Sequence, residues 1–369
     1  MQRRVFLTAA GSVCAAPALL LRARAQQSHN GTPSDQMAPL KGTGPVTLSP
    51  AQLAQRATAS AAPAGPLGTW ETRAPLPFPR SEMAWGTAWA GKMHVVGGYA
   101  EQRVDRPYHH IYDPAADSWK PAAPLPKGAN HIAVVADAGR VYAMGGFVEQ
   151  NRAAHAGAYV YDIAGDRWTE IAPLSRPRGA ACAVVLNGRI HLIGGASDPA
   201  AERASVGWHE AYDPQRDRWE TCAPLPGARD HAGAVAYKGV IHLIGGRFNT
   251  FEYNTPLHHV YSRERDKWSE RRPMPTVRSG HGLVLLQDRF WAMGGETGRF
   301  ENNAITGIVH GQMESYDPAT DSWQHHAPMP TPRHGLAAAA LGNRIHVAGG
   351  GAVVGGAIQT STHEAFLPA

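Results

Sequence analysis

The segment YDPATDSWQHHAPMPTPRHG, residues 316–335, decides the fold because the chain keeps rewriting it. Close versions read YDPAADSWKPAAPLP from Tyr112, YDIAGDRWTEIAPL from Tyr161, YDPQRDRWETCAPLP from Tyr212 and YSRERDKWSERRPMP from Tyr261. In every copy a Tyr precedes a Trp by seven residues: Tyr112 and Trp119, Tyr161 and Trp168, Tyr212 and Trp219, Tyr261 and Trp268, Tyr316 and Trp323. A second landmark is a glycine pair closing an apolar run, as in HVVGG, VYAMGG and HLIGG. The pairs start at Gly97, Gly145, Gly194, Gly245, Gly294 and Gly349, giving steps of 48, 49, 51, 49 and 55 residues. Self-similarity at such a period denotes an array of stacked supersecondary units.

Composition agrees with many short strands and turns. Gly (40) and Pro (29) make up nearly a fifth of the 369 residues, against an average of roughly 12%. The formal charge of +5 comes from the start of the chain. Arg3, Arg4, Arg22 and Arg24 stand among 25 residues without Asp or Glu, and without them 31 basic residues face 30 acidic ones. No basic stripe remains, so nucleic acid is not an expected partner. MQRR, the apolar VFLTAAGSVCAAPALLL and Ala23-Arg24-Ala25 read as a signal peptide over residues 1–25. QRRVFLT resembles the twin-arginine export motif, with Gln2 and Thr8 departing from its usual flanks. That resemblance implies folding in a bacterial cytoplasm and export to the periplasm. Gly11-Ser12-Val13 is a poor lipobox for Cys14. The apolar stretch is marginal against the ~20 residues of a spanning helix, so no membrane span is expected after cleavage. Residues 26–66, rich in Ser, Thr, Ala, Pro and Gly, read as a flexible linker with a helical turn or two at 50–56.

Each unit runs in a fixed order: apolar strand, short turn such as AGK or NGR, apolar strand ending in Gly-Gly, loop, Tyr strand, turn, Trp strand, then APLP or a close variant. At every landmark, over residues 70–369, this order resembles the kelch repeat. The resemblance implies an all-β fold, a six-bladed kelch β-propeller. Physics agrees, because a four-stranded twisted sheet cannot bury both faces alone and radial stacking does so while leaving only short edges. Each Tyr–Trp pair faces across a hairpin and is worth roughly 0.2–1 kcal/mol, a scaffold role.

The sixth unit ends at THEAFLPA, with Phe366 in the Tyr slot and no Trp strand after it, whereas GTWETRAPLP, with Trp70, has no Tyr partner upstream. The N-terminal strand is therefore expected to complete the last blade as its outer strand, closing a propeller over residues 67–369 that is expected to be monomeric. Cys182 falls on the innermost strand of the third blade and Cys222 at the end of its outermost. Three strand steps separate them by about 14 Å, beyond the ~7 Å between Cα atoms that a disulfide tolerates. Both should be free thiols.

Histidine is abundant, with 19 copies, and the repeat phase sorts them. His94, His191, His242 and His346 share a slot with Tyr142 and Trp291 and should pack between blades as amphipathic rings. His109, His209, His258 and His363 share a second structural slot. His131, His231, His281 and His334 lie in the connections between blades, which converge on the mouth of a propeller's central channel. Their surroundings supply Arg80, Ser81, Glu82, Asn130, Arg178, Arg229, Asp230, Arg278, Ser279 and Arg333. Two readings of the arginines stand side by side: braces between blades, or a rim that binds an anion through planar guanidinium forks. No local pair of histidines has metal-ligand spacing, so no metal and no cofactor are expected. Loops after the glycine pairs add Tyr99, Glu101, Arg103, Phe147, Glu149, Asp198, Arg247, Phe248, Asn249, Phe251, Tyr253, Glu296, Arg299 and Phe300. The fifth is longest, with 20 residues between Gly295 and Tyr316 against 13 in the first.

These features lead to three expectations. The first is a periplasmic, non-catalytic binding module that recognises an anionic sugar or an acidic peptide or protein on the Arg/His-lined face. Kelch relatives commonly bind partners there. The second is a carbohydrate mutarotase or epimerase resembling the periplasmic six-bladed kelch sialic-acid mutarotases, with Glu82, Asp230 and the rim histidines moving protons. The third is a copper oxidase like the galactose oxidase-type propellers. Those need a Tyr–Cys crosslink on a seven-bladed ring, and neither mature cysteine has an obvious Tyr partner.

Overall fold

Every repeat folds as an antiparallel meander whose strands are set by the alternation around the glycine pair. The computed structural model describes residues 59–82, 86–100, 103–197, 204–301 and 304–369; the expected signal peptide, most of the expected linker, Glu101 and Asp198 lie outside them. Six four-stranded sheets are present among the described residues, five of them with strands in sequence order from the axis outward. Blade 1 comprises Thr87–Trp89, Lys92–Val96, His109–Asp113 and Ser118–Pro121. Blade 2 comprises Ala133–Asp137, Arg140–Met144, Ala158–Asp162 and Arg167–Glu170. Blade 3 has Cys182–Leu186, Arg189–Ile193, His209–Asp213 and Arg218–Thr221, and blade 4 has Gly233–Tyr237, Val240–Ile244, His258–Ser262 and Lys267–Arg271. Blade 5 has Gly282–Leu286, Arg289–Met293, Met313–Asp317 and Ser322–His326.

Blade 6 takes Ala337–Leu341, Arg344–Ala348 and His363–Leu367 from the end of the chain and Thr69–Thr72 from its start. Trp70 pairs with Phe366, as the missing Trp and the surplus Trp strand require. The all-β propeller is thus closed between the first and last strands. No helix among the described residues is long and apolar enough to cross a membrane.

Tyr and Trp stand opposite each other in all five complete repeats. They also tie blades together. Each Trp indole donates to a carbonyl of the preceding blade's segment: Trp119 to Ala74, Trp168 to Ala123, Trp219 to Ala172, Trp268 to Ala223, Trp323 to Arg272 and Trp70 to Ala327, at 2.8–3.1 Å. The Asp between Tyr and Trp repeats the link. Asp117, Asp166, Asp217, Asp266 and Asp321 accept the Tyr hydroxyl of their own hairpin and a backbone N–H from the preceding blade. Nearer the axis, the second glycine of each pair donates to the next blade: Gly98 to Ala129, Gly146 to Arg178, Gly195 to Arg229, Gly246 to Arg278, Gly295 to Arg333 and Gly350 to Arg80. The approach is so close that a Cβ on Gly294, at φ +67, would sit 2.4 Å from the Arg333 carbonyl oxygen. Only glycine meets both demands.

The chain is anchored earlier than residue 67. Gly65 donates to His325, His325 to Pro63, and Ala64 bridges His325 in parallel along the outer edge of blade 5. The part of the expected linker next to the propeller is therefore a docked segment, held because the edge of blade 5 offers unpaired backbone groups.

Candidate functional site

The connections between blades converge on the axis as aligned triplets. The first positions are Arg80, Ala129, Arg178, Arg229, Arg278 and Arg333. The second are Ser81, Asn130, Gly179, Asp230, Ser279 and His334. The third are Glu82, His131, Ala180, His231, Gly280 and Gly335. Each second residue bridges the residue that follows a glycine pair: Ser81 to Tyr99, Asn130 to Phe147, Gly179 to Ala196, Asp230 to Arg247, Ser279 to Glu296 and His334 to Gly351. Connections and post-glycine loops therefore build one face together.

All six third residues adopt positive φ, between 50° and 61°. His131 donates its backbone N–H to Glu82, Ala180 to His131, His231 to Ala180, Gly280 to His231 and Gly335 to Gly280, at 2.8–3.1 Å. These bonds form a belt around the axis. Four of its members are not glycine, and each holds a conformation that costs L-residues roughly 1–2 kcal/mol. Strain of this kind persists where the surroundings over-determine it and is a pointer to function.

The five repeat arginines do not line the mouth. Arg80, Arg178, Arg229, Arg278 and Arg333 are each at most 1% exposed. Their guanidiniums are spent inside the next blade: Arg178 on Glu210 at 2.7 Å, Arg278 on Glu314 at 2.9 Å, and Arg333 on Glu364 at 2.6 Å. Arg80 donates to the carbonyls of Gly97 and Tyr108, and Arg229 to those of Pro226, Gly227, Leu243 and Gly245. Lacking a carboxylate, Arg80 and Arg229 are pushed by burial down to about 9 and about 10. Of the two readings drawn from the repeat, this geometry fits the brace. The kinked Gly-Gly segment turns carbonyls inward, and a five-donor fork satisfies several at once.

The belt instead gathers a different set of charges. The Glu82 carboxylate lies 3.2 Å from His131 Nε2 and 3.3 Å from His334 Nδ1. His131 Nδ1 contacts Asn130 Oδ1, and His231 Nδ1 contacts Asp230 Oδ1. Arg247 reaches Asp230 at 3.1 Å, Glu296 at 2.8 Å and His231 Nε2 at 3.0 Å. Glu296 also lies 3.5 Å from His334 Nδ1 and accepts the Gly355 N–H. All of these side chains are buried. Burial works against the Glu82 carboxylate, but His334 and His131 outweigh it and hold the group well below its ordinary range. Burial, with Arg247 alongside, pushes His231 down to about 3, so it is neutral and its Nε2 is an acceptor. Tyr99 and Phe147 wall the His131 ring, with centroids 5.8 and 5.4 Å away. Ala352, Val353 and Val354 are buried above the cluster, and the Val353 carbonyl meets His334 Nε2 at 2.8 Å.

Several expected site residues lie elsewhere. His281 sits one position beyond the belt, fully buried, and neither ring nitrogen has a hydrogen-bond partner. Burial holds its pKa well below the usual range. His334 occupies the second position of its triplet, so the four connection histidines are not equivalent. Ser81 and Ser279 are buried at second positions with unbonded hydroxyl oxygens. Phe248 is half-buried beside Gly227 and Leu257, away from the belt. The long fifth loop forms a hairpin of Glu296–Glu301 and Ala304–Val309.

The two structural histidine slots turn out to be partners. His94 bonds His109, His191 bonds His209, His242 bonds His258 and His346 bonds His363, at 2.8–3.1 Å. Both cysteines are free and buried. Cys222 does have a tyrosine neighbour, because its thiol hydrogen-bonds with Tyr261. That Tyr is the scaffold residue whose hydroxyl already donates to Asp266 at 2.6 Å.

Residues 131–350 match the family model described as the KLHDC2/KLHL20/DRC7 Kelch-repeats domain. The chain is 29% identical over 311 residues to Kelch-like protein terF of Aspergillus terreus, covering 82% of this chain and 56% of the relative, and so spans about half of that protein's length. The solved structure titled "Structure of YjhT" superposes with a TM-score of 0.67 at 14% identity, over 78% of this chain and 95% of that one. That likeness is one of fold.

Proposed function

This chain belongs to the kelch-repeat family, and from that premise we propose that it is an exported periplasmic binding module that takes an anionic sugar or an acidic peptide on the loop face around the belt. One observation carries the reading. With the repeat arginines sealed in the blades, the exposed cations that the described residues place on the loops of this face include Arg103, Arg152 and Arg299, on blades 1, 2 and 5. They accompany exposed Asn249 and Tyr253, the latter 63% exposed. Guanidiniums beside an aromatic ring suit carboxylate recognition and stacking on a sugar or peptide. The test is binding of the mature chain to immobilised sialic acid, glucuronic acid and a Glu-rich peptide, at low and high salt. Binding should weaken with salt and vanish in a variant combining Arg103→Ala, Arg152→Ala and Arg299→Ala. Unchanged binding by that variant overturns the reading.

A second reading, a carbohydrate mutarotase, is favoured by the contact between Glu82 and His131. A carboxylate and an imidazole at 3.2 Å can serve as an acid–base pair once the cover over them opens. Exchange NMR at the anomeric carbon of sialic and uronic acids decides it. Acceleration lost in Glu82→Gln supports mutarotation, and a flat result ends it.

A further inference from the structure

We propose that Glu82, His131 and His231 form a buried axial site for a divalent transition-metal ion of the zinc or iron(II) class. They come from blades 1, 2 and 4, yet their ligand atoms all lie within 4.8 Å of one another. Glu82 Oε2 and His131 Nε2, at 3.2 Å, are near the ~3.4 Å separation of two ligands each about 2.1 Å from a tetrahedral ion. Two imidazoles and one carboxylate with the remaining positions open form a donor set that holds catalytic zinc or non-haem iron(II).

The second shell is also in place. Asn130 Oδ1 and Asp230 Oδ1 each take the Nδ1 side of the neighbouring histidine. This turns the Nε2 edge of each ring toward the axis, as metal-binding histidines require. The same dipeptide device, an acceptor followed by His in the positive-φ belt, occurs in both blades. Between and beside the ligands the belt carries only Ala180, Gly280 and Gly335. A Cβ on Gly335 would sit 2.6 Å from the Glu82 carboxylate, so the carboxylate occupies room that glycine provides.

Charge points the same way. Among the described residues of the cluster, the Arg247 guanidinium meets Asp230 and Glu296, while the Glu82 carboxylate faces His131 and His334. A cluster of buried carboxylates needs compensating positive charge. A divalent ion supplies it. In this structure Arg247 stands on His231 Nε2 in the ion's stead. On binding it would give up that one contact and keep Asp230 and Glu296.

A competing cluster of His191, His209 and Cys222 has its ligand atoms equally close. There, however, His191 Nδ1 and His209 Nε2 are spent on each other at 2.8 Å, and His209 Nδ1 on the Ala223 carbonyl. The same pairing recurs in three blades that lack the cysteine, which marks it as structural.

The axial site uses none of Arg103, Arg152 and Arg299, so either proposal can fail alone. Chelator-treated full-length protein is titrated with Zn2+ by calorimetry and with Co2+ by visible absorption. One equivalent should bind. Glu82→Gln and His231→Asn should each weaken binding at least tenfold, and Asp230→Asn by about 10–100-fold. Arg247→Met should strengthen it, and His191→Asn with Cys222→Ser should leave it unchanged. Anomalous scattering from zinc-soaked wild-type crystals answers without any variant. A peak among the three ligands supports the site. No axial peak, no binding by wild type, full affinity in folded Glu82→Gln, or loss that follows Cys222→Ser overturns it.

Discussion

Replacing Arg278 by Ala separates a brace from a binding residue. The side chain is fully buried and donates to the Gln312 carbonyl at 3.0 Å, the Ala292 carbonyl at 3.2 Å and Glu314 Oε2 at 2.9 Å. Glu314 is equally buried and would keep only hydroxyl partners, Thr276 at 2.6 Å and Ser60. Removing one partner of a buried ion pair costs about 3–5 kcal/mol because the other charge is stranded. In a domain of this size that lowers the melting temperature by on the order of 10 °C. The pair Arg278→Met with Glu314→Gln strands no charge and should recover much of the loss, giving a coupling of roughly 1–3 kcal/mol in a double-mutant cycle. Arg229, with carbonyl partners only, should show no comparable recovery with any carboxylate variant. The assay is a thermal or urea melt followed by circular dichroism. A melting temperature for Arg278→Ala within about 2 °C of wild type, together with lost ligand binding, would refute the bracing role and return the arginines to the rim.

Acid should destabilise the protein well before its carboxylates titrate. Burial pushes His94, His209, His242 and His346 down to about 4, and His191, His258 and His363 to about 3. The unfolded chain, with pKa values near 6.5, binds more protons below that pH. Stability is therefore complete above about pH 6.5 and falls toward pH 4, by about 1.4 kcal/mol per pH unit for each such histidine. Melts at pH 7.5, 5.5 and 4.5 check this. Blade 4 carrying the residues of blade 5, His242→Trp with His258→Met, should show a shallower slope, and a pH-independent melting temperature would contradict the assignment. Deleting residues 68–77 removes the strand that completes blade 6 and should abolish cooperative melting near the wild-type temperature. An unchanged melt would show that Trp70 and Phe366 do not close the ring.

Much of the fold was legible because it is periodic. The Tyr–Trp spacing, the glycine pairs and the unpaired Trp70 and Phe366 determine strand order, closure and the separation of the cysteines. Other scaffold signals were present but unread. Asp117 and its equivalents stand five residues after each Tyr, and histidine fills both structural slots together in blades 1, 3, 4 and 6 while blades 2 and 5 have Tyr142/Ala158 and Trp291/Met313. That co-occurrence is the trace of a direct bond. The site was harder to read. Sequence names Arg, Glu and His in the connections but does not say which way a side chain leaves the backbone. The arginines turn into the blades because the carbonyls near Gly-Gly need donors. Glu82, His131 and His231 reach the axis because they themselves take a positive φ. Aligning the connections on Arg80, Arg178, Arg229, Arg278 and Arg333 would have separated His281 and His334 from the belt. The ligand set stayed hidden because its members sit 49 and 100 residues apart, with no local spacing to betray them.

Arginine modification by phenylglyoxal, located by mass spectrometry on the folded protein, tests the account most directly. Arg103, Arg152 and Arg299 should react quickly, while Arg80, Arg178, Arg229, Arg278 and Arg333 stay unmodified until the protein is unfolded. Rapid labelling of any of those five in protein that still melts cooperatively would contradict it.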